Sequence, residues 1–371
     1  METIVLQLTD TLREATASKK PLRIVGGGTK DFYGNPTIGE TLAIAGYRGI
    51  IEYDPTELVI TARAGTPLAE IEAALKEKGQ MLAFEPPHFS KILPSPLTPL
   101  PEGEGISTLG GCIAAGLSGP RRAYAGAVRD LVLGVRILDG KGTDLRFGGQ
   151  VMKNVAGFDV SRLMAGAMGT LGVILEVSLK TLPLPASEIT LHQQHTEADV
   201  IPLMNQWAGQ PLPISATAWT CGDCRIRLSG APSAVEAARK KLGGAVVDPA
   251  LATTFWHGVR DHTDAYFTRE GALWRLSVKS SAPTIKLPGA QRIEWSGALR
   301  WLHTDVSADD VRRAAQNAGG HATLFRNTGG NAPAGGVFQP LSPALAAVHQ
   351  RLKQTFDPAD VLNPGRLYPG M

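Results

Sequence analysis

Thr108-Leu109-Gly110-Gly111-Cys112-Ile113-Ala114-Ala115-Gly116 opens a stretch, ending at Pro183, in which glycines and small residues recur at the bends. It continues through Gly126-Ala127-Val128-Arg129-Asp130, Lys153-Asn154-Val155-Ala156-Gly157-Phe158-Asp159 and Gly169-Thr170-Leu171-Gly172-Val173-Ile174. Glycine takes positive φ at little cost and lacks the Cβ that would hold a ligand away from main-chain N–H groups. Close packing of helix on sheet explains any one of these turns. Several in one domain point to a bound molecule with phosphates and planar rings.

Upstream, Leu22-Arg23-Ile24-Val25 reads as a strand that ends in Gly26-Gly27-Gly28-Thr29-Lys30-Asp31. The glycines expose amides in one concavity, and Thr29 and Lys30 add a hydroxyl and a cation, which together suit a diphosphate. A dinucleotide fingerprint needs a third small residue opening a helix, whereas Asp31 and Gly34-Asn35-Pro36 follow here. A P-loop needs Lys-Ser or Lys-Thr, which Lys30-Asp31 is not. The loop is a phosphate cradle of another kind or a plain turn.

Strands are expected over 41–45, 49–53 and 58–62, then a helix capped by Thr66 with Pro67 at its first position. Prolines 94, 96, 99 and 101 make the segment 91–105 an irregular insertion. Runs 128–138 and 172–182 read as buried strands. All six tryptophans lie beyond residue 200, so a second unit is expected from residue 184. Its helices, one opened by a Ser233-x-x-Glu236 capping box and one capped by Ser307, alternate with antiparallel-looking strands. The fold class is α+β: domain 1–183 built as two α+β subdomains, and 184–371 a ferredoxin-like α/β cap whose last residues, about 357–371, return to the first domain.

With 371 residues, 37 basic against 34 acidic side chains and 43% hydrophobic residues, the chain can bury large cores and carries almost no net charge. No nucleic-acid partner is expected from that balance. The N-terminus lacks a basic, apolar leader, and no window approaches a membrane span, so a cytoplasmic location with at most peripheral membrane contact is expected. Three cysteines fit a reducing compartment. Cys221-Gly222-Asp223-Cys224 reads as a hairpin turn, and His192-x-x-His195 as a solvated face, so no metal site is expected.

The glycine loop at 26–30, Thr108-Leu109-Gly110-Gly111, Gly126-x-x-Arg129-Asp130, Gly169 to Ile174 and the closing Leu362-Asn363-Pro364-Gly365-Arg366 together resemble the FAD-linked oxidases of the vanillyl-alcohol oxidase and p-cresol methylhydroxylase (PCMH) type. Glu85-Pro86-Pro87-His88, Gly119-Pro120-Arg121-Arg122, Leu145 to Gly149 and Asn317 to Thr323 are similar to the E-type subunits of bacterial glycolate oxidase. The resemblance implies an FAD-binding PCMH-type domain. Gly26, Gly27, Gly28, Thr29 and Lys30 would wrap the diphosphate, and Thr108, Gly110, Gly111, Ser118 and Gly119 would add N–H and hydroxyl contacts. Val173 and Ile174 would touch a ring by their backbone, and Asn363 would approach the isoalloxazine. Relatives that hold flavin covalently use a histidine near the first loop. Thr29 and Lys30 stand here instead, so the FAD is expected to be non-covalent.

The resemblance further implies a subunit of a multi-subunit oxidase or dehydrogenase that converts glycolate, or a similar 2-hydroxy acid, to glyoxylate. Its partners would be a catalytic flavoprotein subunit and an iron–sulfur subunit, with peripheral contact at the inner face of the cytoplasmic membrane through the complex. Arg275 as carboxylate clamp and His321 as base are the catalytic candidates. The histidine-rich motif of the catalytic flavoprotein subunit is absent from the sequence. A self-sufficient hydroxy-acid dehydrogenase and a structural subunit with little or no flavin are the alternatives.

Overall fold

The structure is a computed structural model, which describes residues 2–89, 105–149, 160–328, 330 and 332–371. The proline-rich segment and the Lys153 to Asp159 motif therefore lie, wholly or nearly so, outside the described residues. In the first half, α1 (Glu2–Ser18), β1 (Leu22–Val25), β2 (Glu40–Ala43), β3 (Ile50–Asp54), β4 (Val59–Arg63), α2 (Leu68–Glu77) and β5 (Gln80–Met81) come first. They are followed by α3 (Leu109–Ala115), α4 (Arg122–Ala125), α5 (Val128–Leu131), β6 (Val132–Leu138), β7 (Asp144–Gly148), α6 (Val160–Leu163), β8 (Val173–Lys180) and β9 (Leu182–Pro183).

Strands β1 and β2 pair in parallel, and a five-stranded antiparallel sheet runs β3-β4-β8-β6-β7. One core joins these layers through Leu12, Ile60, Leu68, Ile71, Leu75, Ile113, Ile137 and Val173. Val361 and Leu362, from the far end of the chain, are buried in the same core.

The second half contains β10 (Ser187–Gln194), α7 (Glu197–Ala208), β11 (Ile214–Thr220), β12 (Asp223–Gly230), α8 (Pro232–Leu242), β13 (Ala245–Val246) and α9 (Pro249–Asp261). Then come β14 (Ala272–Ser277), β15 (Ala290–Glu294), β16 (Leu299–His303), α10 (Ala308–Asn317), β17 (His321–Asn327) and α11 (Pro343–Phe356). Its sheet has eight strands in the order β13-β10-β12-β11-β15-β16-β14-β17. Strands β10 to β13, with α7 and α8, form a β-α-β-β-α-β ferredoxin-like unit. Strands β14 to β17 repeat that spatial order in mirror sequence across the β11/β15 seam, with the loop 278–289 in place of the first helix. Alternation along the strands splits the sheet: Trp274 and Leu276 pack with α10, while Leu273, Trp301 and Phe325 face Tyr33, Phe89 and Leu117 of the first half.

Local chemistry departs from the sequence expectation at several ends. Residues 128–131 form a helical turn rather than the start of a strand, because the Asp130 carboxylate accepts the Ala127 N–H. Pro67 occupies the cap of α2, and the Thr66 hydroxyl accepts the Gly49 N–H instead. Helix α8 begins after Ala231 with no side-chain cap, since Glu236 is spent on Arg239. Ser307 caps α10 as expected, and Cys221 and Gly222, both at positive φ, turn the β11/β12 hairpin.

The C-terminal return is held by a buried ion pair. Lys353 Nζ donates to Asp357 Oδ2 at 2.7 Å and to the carbonyls of Thr170 and Leu362, while Asp357 accepts the N–H groups of Val361 and Leu362. Leu22 and Leu362 then bridge in parallel beside β1. Lys353 also lies 3.2 Å from Asp360, so the charge that is stranded when the pair is broken is the fully buried Asp357, and Lys353→Met is expected to lower unfolding free energy by about 3–5 kcal/mol, read by urea denaturation.

Candidate functional site

Strand β1 ends at Val25 and releases a loop whose carbonyl side is gripped from behind. The Arg366 guanidinium donates to the carbonyls of Lys30, Asp31, Tyr33 and Asn35. Asn35 returns hydrogen bonds to the carbonyls of Gly365 and Leu367. With its carbonyls turned to the C-terminal segment, the loop leaves its amides free. The N–H groups of Gly27, Gly28, Thr29 and Lys30 donate to no acceptor among the described residues. Buried or half-buried amides without partners are rare, and four in succession form an anion-binding nest.

These residues line an open groove with Ile24, Ile44, Ala64, Thr108, Gly110, Gly111, Ala114, Gly169, Ile174 and Asn363. Gly26 and Gly110 keep it open by close approach. A Cβ on Gly26 would stand 2.4 Å from Thr108 Oγ1, and one on Gly110 2.7 Å from Ala64 Cβ.

Lys30 is the cation of the groove. It is 8% exposed, and its ammonium donates to Ser107 and Thr29 hydroxyls and lies 5.6 Å from the Phe89 ring centroid. No carboxylate pairs with it among the described residues. Burial pulls its pKa down to about 8, so the charge is costly until an anion arrives.

Several candidates do something other than expected. The Gly110 N–H is spent on Ala64 O, and the Gly111 N–H on Thr108 Oγ1, so these glycines serve close packing and not amide donation. Asn363 lines the groove at positive φ, but its side chain is a clamp: Oδ1 accepts from Ile24 N and Nδ2 donates to Met168 O. Val173 is fully buried in the core behind the groove. Ser118 and Gly119 line a second, smaller cavity with Arg275, Glu294, Trp295, Trp301 and Phe325. The Ser118 hydroxyl accepts from Val128 N, and Gly119 sits with its Cα against Glu85 O.

Arg275 projects from β14 on the sheet face that carries Thr323 and Trp301, its register partners. His321 lies at the exposed start of β17, one register position along on that same face, and does not line the cavity. Glu294, which the sequence reading did not single out, is buried with Oε1 unpartnered, and burial pushes its pKa up to about 7. His262 stacks on Phe267 at 3.8 Å and stays neutral through burial. Trp295 and Ser296 are both in the left-handed region ahead of Gly297, a conformation costing about 1–3 kcal/mol for each such residue. Arg366 was also missed, because nothing local marks an arginine that meets its carbonyls more than 300 positions away.

Residues 5–92 match a family described as an FAD binding domain. The chain is 48% identical over 361 residues to glycolate oxidase subunit GlcE of Escherichia coli (strain K12), covering 97% of this chain and 96% of that one. It is 34% identical over 142 residues to glycolate oxidase subunit GlcD of Bacillus subtilis (strain 168), 38% of this chain and 27% of that one. The solved structure of an alkyldihydroxyacetonephosphate synthase superposes with a TM-score of 0.64 over 97% of this chain and 75% of that one, at 15% identity, a likeness of fold alone. Fold and groove thus define an FAD-binding oxidoreductase of the PCMH type. Within that class the chain belongs to the GlcE family of glycolate oxidase subunits.

The described residues fit an FAD diphosphate: among them the amides of 27–30 have no acceptor, the buried Lys30 ammonium has no carboxylate, and apolar walls lie beyond. Lys30→Met is therefore expected to move two measurements in opposite directions. Stability of the flavin-free chain at pH 7 should rise, by up to about 3 kcal/mol if the whole shift is recovered. That gain should shrink as pH climbs from about 8 toward 10.5, where the native lysine is neutral and its penalty has gone. FAD affinity should fall by about tenfold or more, the worth of a charge-assisted hydrogen bond. Thermal melts across pH and flavin titration read the two.

Proposed function

We propose that this chain is the FAD-binding subunit of a multi-subunit glycolate oxidase, which oxidises glycolate or a close 2-hydroxy acid to glyoxylate and passes electrons to an iron–sulfur partner. The observation that carries the flavin role is the run of free amides from Gly27 to Lys30 beside the unpaired Lys30 ammonium. The GlcE relative is named as a glycolate oxidase subunit, and part of the first half is similar to GlcD, so a catalytic flavoprotein subunit is the natural partner. The division of labour follows residues 1–183 for flavin and 184–371 for the cap.

FAD, when bound, supplies hydride acceptance and electron relay. The chain's own residues hold it. Amides 27–30 and Lys30 neutralise the diphosphate, Arg366 and Asn363 fix the loop from the C-terminus, and Ile24, Ile44 and Ile174 exclude water. No histidine or cysteine lines the groove, which supports non-covalent binding. Electrons must leave through another subunit, because three cysteines cannot supply the four ligands of a cluster. Among the described residues no group of three His, Cys, Asp or Glu is placed to hold a metal, and no helix is long and apolar enough to cross a membrane. Membrane contact in this reading is made through the complex. Arg275 remains the candidate for a substrate carboxylate and His321, which shares its sheet face and feels its charge, the candidate base.

Purified alone, the chain should be yellow, lose its flavin to the supernatant on acid precipitation, and show no bleaching with glycolate under anaerobic conditions. Co-expressed with its partners it should co-purify with iron, and the flavin should bleach. A colourless chain removes the flavin role, and bleaching of the isolated chain removes the need for a catalytic partner.

A further inference from the structure

The strained turn at Trp295-Ser296-Gly297 places one indole at the junction of the two halves, tied by Trp295 Nε1 donating to Gly119 O at 3.0 Å. Tyr124 and Ser296 hydroxyls bond across the same junction. Two guanidiniums lie over that indole. Arg122, from α4, is 4.5 Å from the ring centroid, and Arg275, from β14, is 5.2 Å from it. Neither makes a hydrogen bond or ion pair with any described residue. Two arginines this close repel, and arginine cannot shed its proton to relieve the repulsion. Other arginines of this junction have partners: Arg121 and Arg227 pair with Glu85 and Glu188, Arg292 pairs with Asp264, and Arg326 donates to the Phe267 carbonyl. Glu294 adjoins Arg275 but does not reach ion-pair distance.

We propose that Arg122 and Arg275, set around Trp295, form a binding site for a small carboxylate. Each planar fork can grip a carboxylate bidentately, and an anion held by both removes the repulsion that the free site carries. Arg122 is partly exposed, and Arg275 lines the adjoining cavity with Ser118, Gly119 and Glu294, whose carboxyl is held partly protonated near neutral pH by burial. The site binds and orients the anion, and its occupancy does not require flavin. The choice of glycolate as probe rests on the proposed function.

The full chain is titrated calorimetrically with glycolate and, separately, with inorganic phosphate, while tryptophan emission is followed in parallel. Glycolate should saturate the native chain and change its emission. Arg122→Gln and Arg275→Gln should each weaken binding by about tenfold or more, and Arg275→Lys should recover part of the loss. Trp295→Phe should abolish the emission change. Phosphate should bind more weakly than glycolate. Failure of glycolate to saturate the native chain, unchanged affinity in Arg122→Gln, or phosphate binding as tightly as glycolate overturns the assignment. Arg122 is half-exposed on a short turn, so its variant should fold even where Arg275→Gln does not, as a thermal melt will show. A colourless chain that still binds glycolate refutes the flavin role and leaves this site standing. A yellow chain indifferent to glycolate does the reverse.

Discussion

The flavin loop depends on how its backbone is divided between two neighbours. A peptide unit carries one donor and one acceptor, and a turn that satisfies both internally has nothing to offer a ligand. Here the carbonyls of Lys30, Asp31, Tyr33 and Asn35 go to a single side chain, Arg366, those of Gly27 and Gly28 accept from Gly105 and Asp31, and the amides of residues 27 to 30, which line the groove, have no acceptor among the described residues. The arginine is brought there by the Leu22–Leu362 bridge, the Asn363 clamp and the buried Lys353–Asp357 pair. The last residues of the chain therefore complete the first strand-loop unit, and the second half is tied to the first by chain closure as well as by packing.

That dependence explains what could be read from sequence and what could not. Gly26 and Gly28 were legible because glycine is the one residue whose absence of side chain is itself information, and each stands where a Cβ would meet Thr108 or adopt a costly φ, whereas Gly110 packs on Ala64 and spends its expected N–H there. Periodicity likewise revealed α7, β11, β12 and α8, while β10 and the two-residue β13 that complete the β-α-β-β-α-β unit were not read. The roles of Gly111 and Asn363 were harder. A glycine that donates its amide and one that merely packs look alike in sequence, and an asparagine near a groove does not reveal that its amide is already committed. Short polar signals misled where a competing bond was available, as at Thr66 and Ser233. Helix α9 was missed altogether, although Asp248 before Pro249 caps its start and its apolar residues recur at helical spacing.

The eight-stranded sheet brings a second constraint. Two ferredoxin-like units joined edge to edge cover one face with helices, and on the other face α9 packs on β10 and β11 while the first half buries the strands beyond. Aromatic residues meet there: Phe32, Tyr33 and Phe89 from one side, Phe267, Trp301 and Phe325 from the other, mostly edge to face. Such rings fill space with few rotatable bonds, so the junction is rigid. Polar groups trapped in it are correspondingly few and costly. Glu294 responds by a raised pKa, His262 by remaining neutral, and Arg292 by pairing with Asp264.

Against that background the unpaired cations are informative. A chain with almost equal numbers of acidic and basic side chains has carboxylates enough to match every buried arginine and lysine, and at most sites of the junction it does so. Arg300, Arg312, Arg326 and Arg366 lack an acid but donate to backbone carbonyls, whereas Lys30, Arg122 and Arg275 have only hydroxyl or aromatic company among the described residues. Folding alone would favour an acid beside each, or an apolar side chain in its place. Their arrangement is economical only if anions from outside complete it, a diphosphate at Lys30 and a carboxylate at the arginines. The two positions flank the aromatic junction, so the molecule presents separate cationic sites to the two kinds of anion that flavin-dependent oxidation of a hydroxy acid requires.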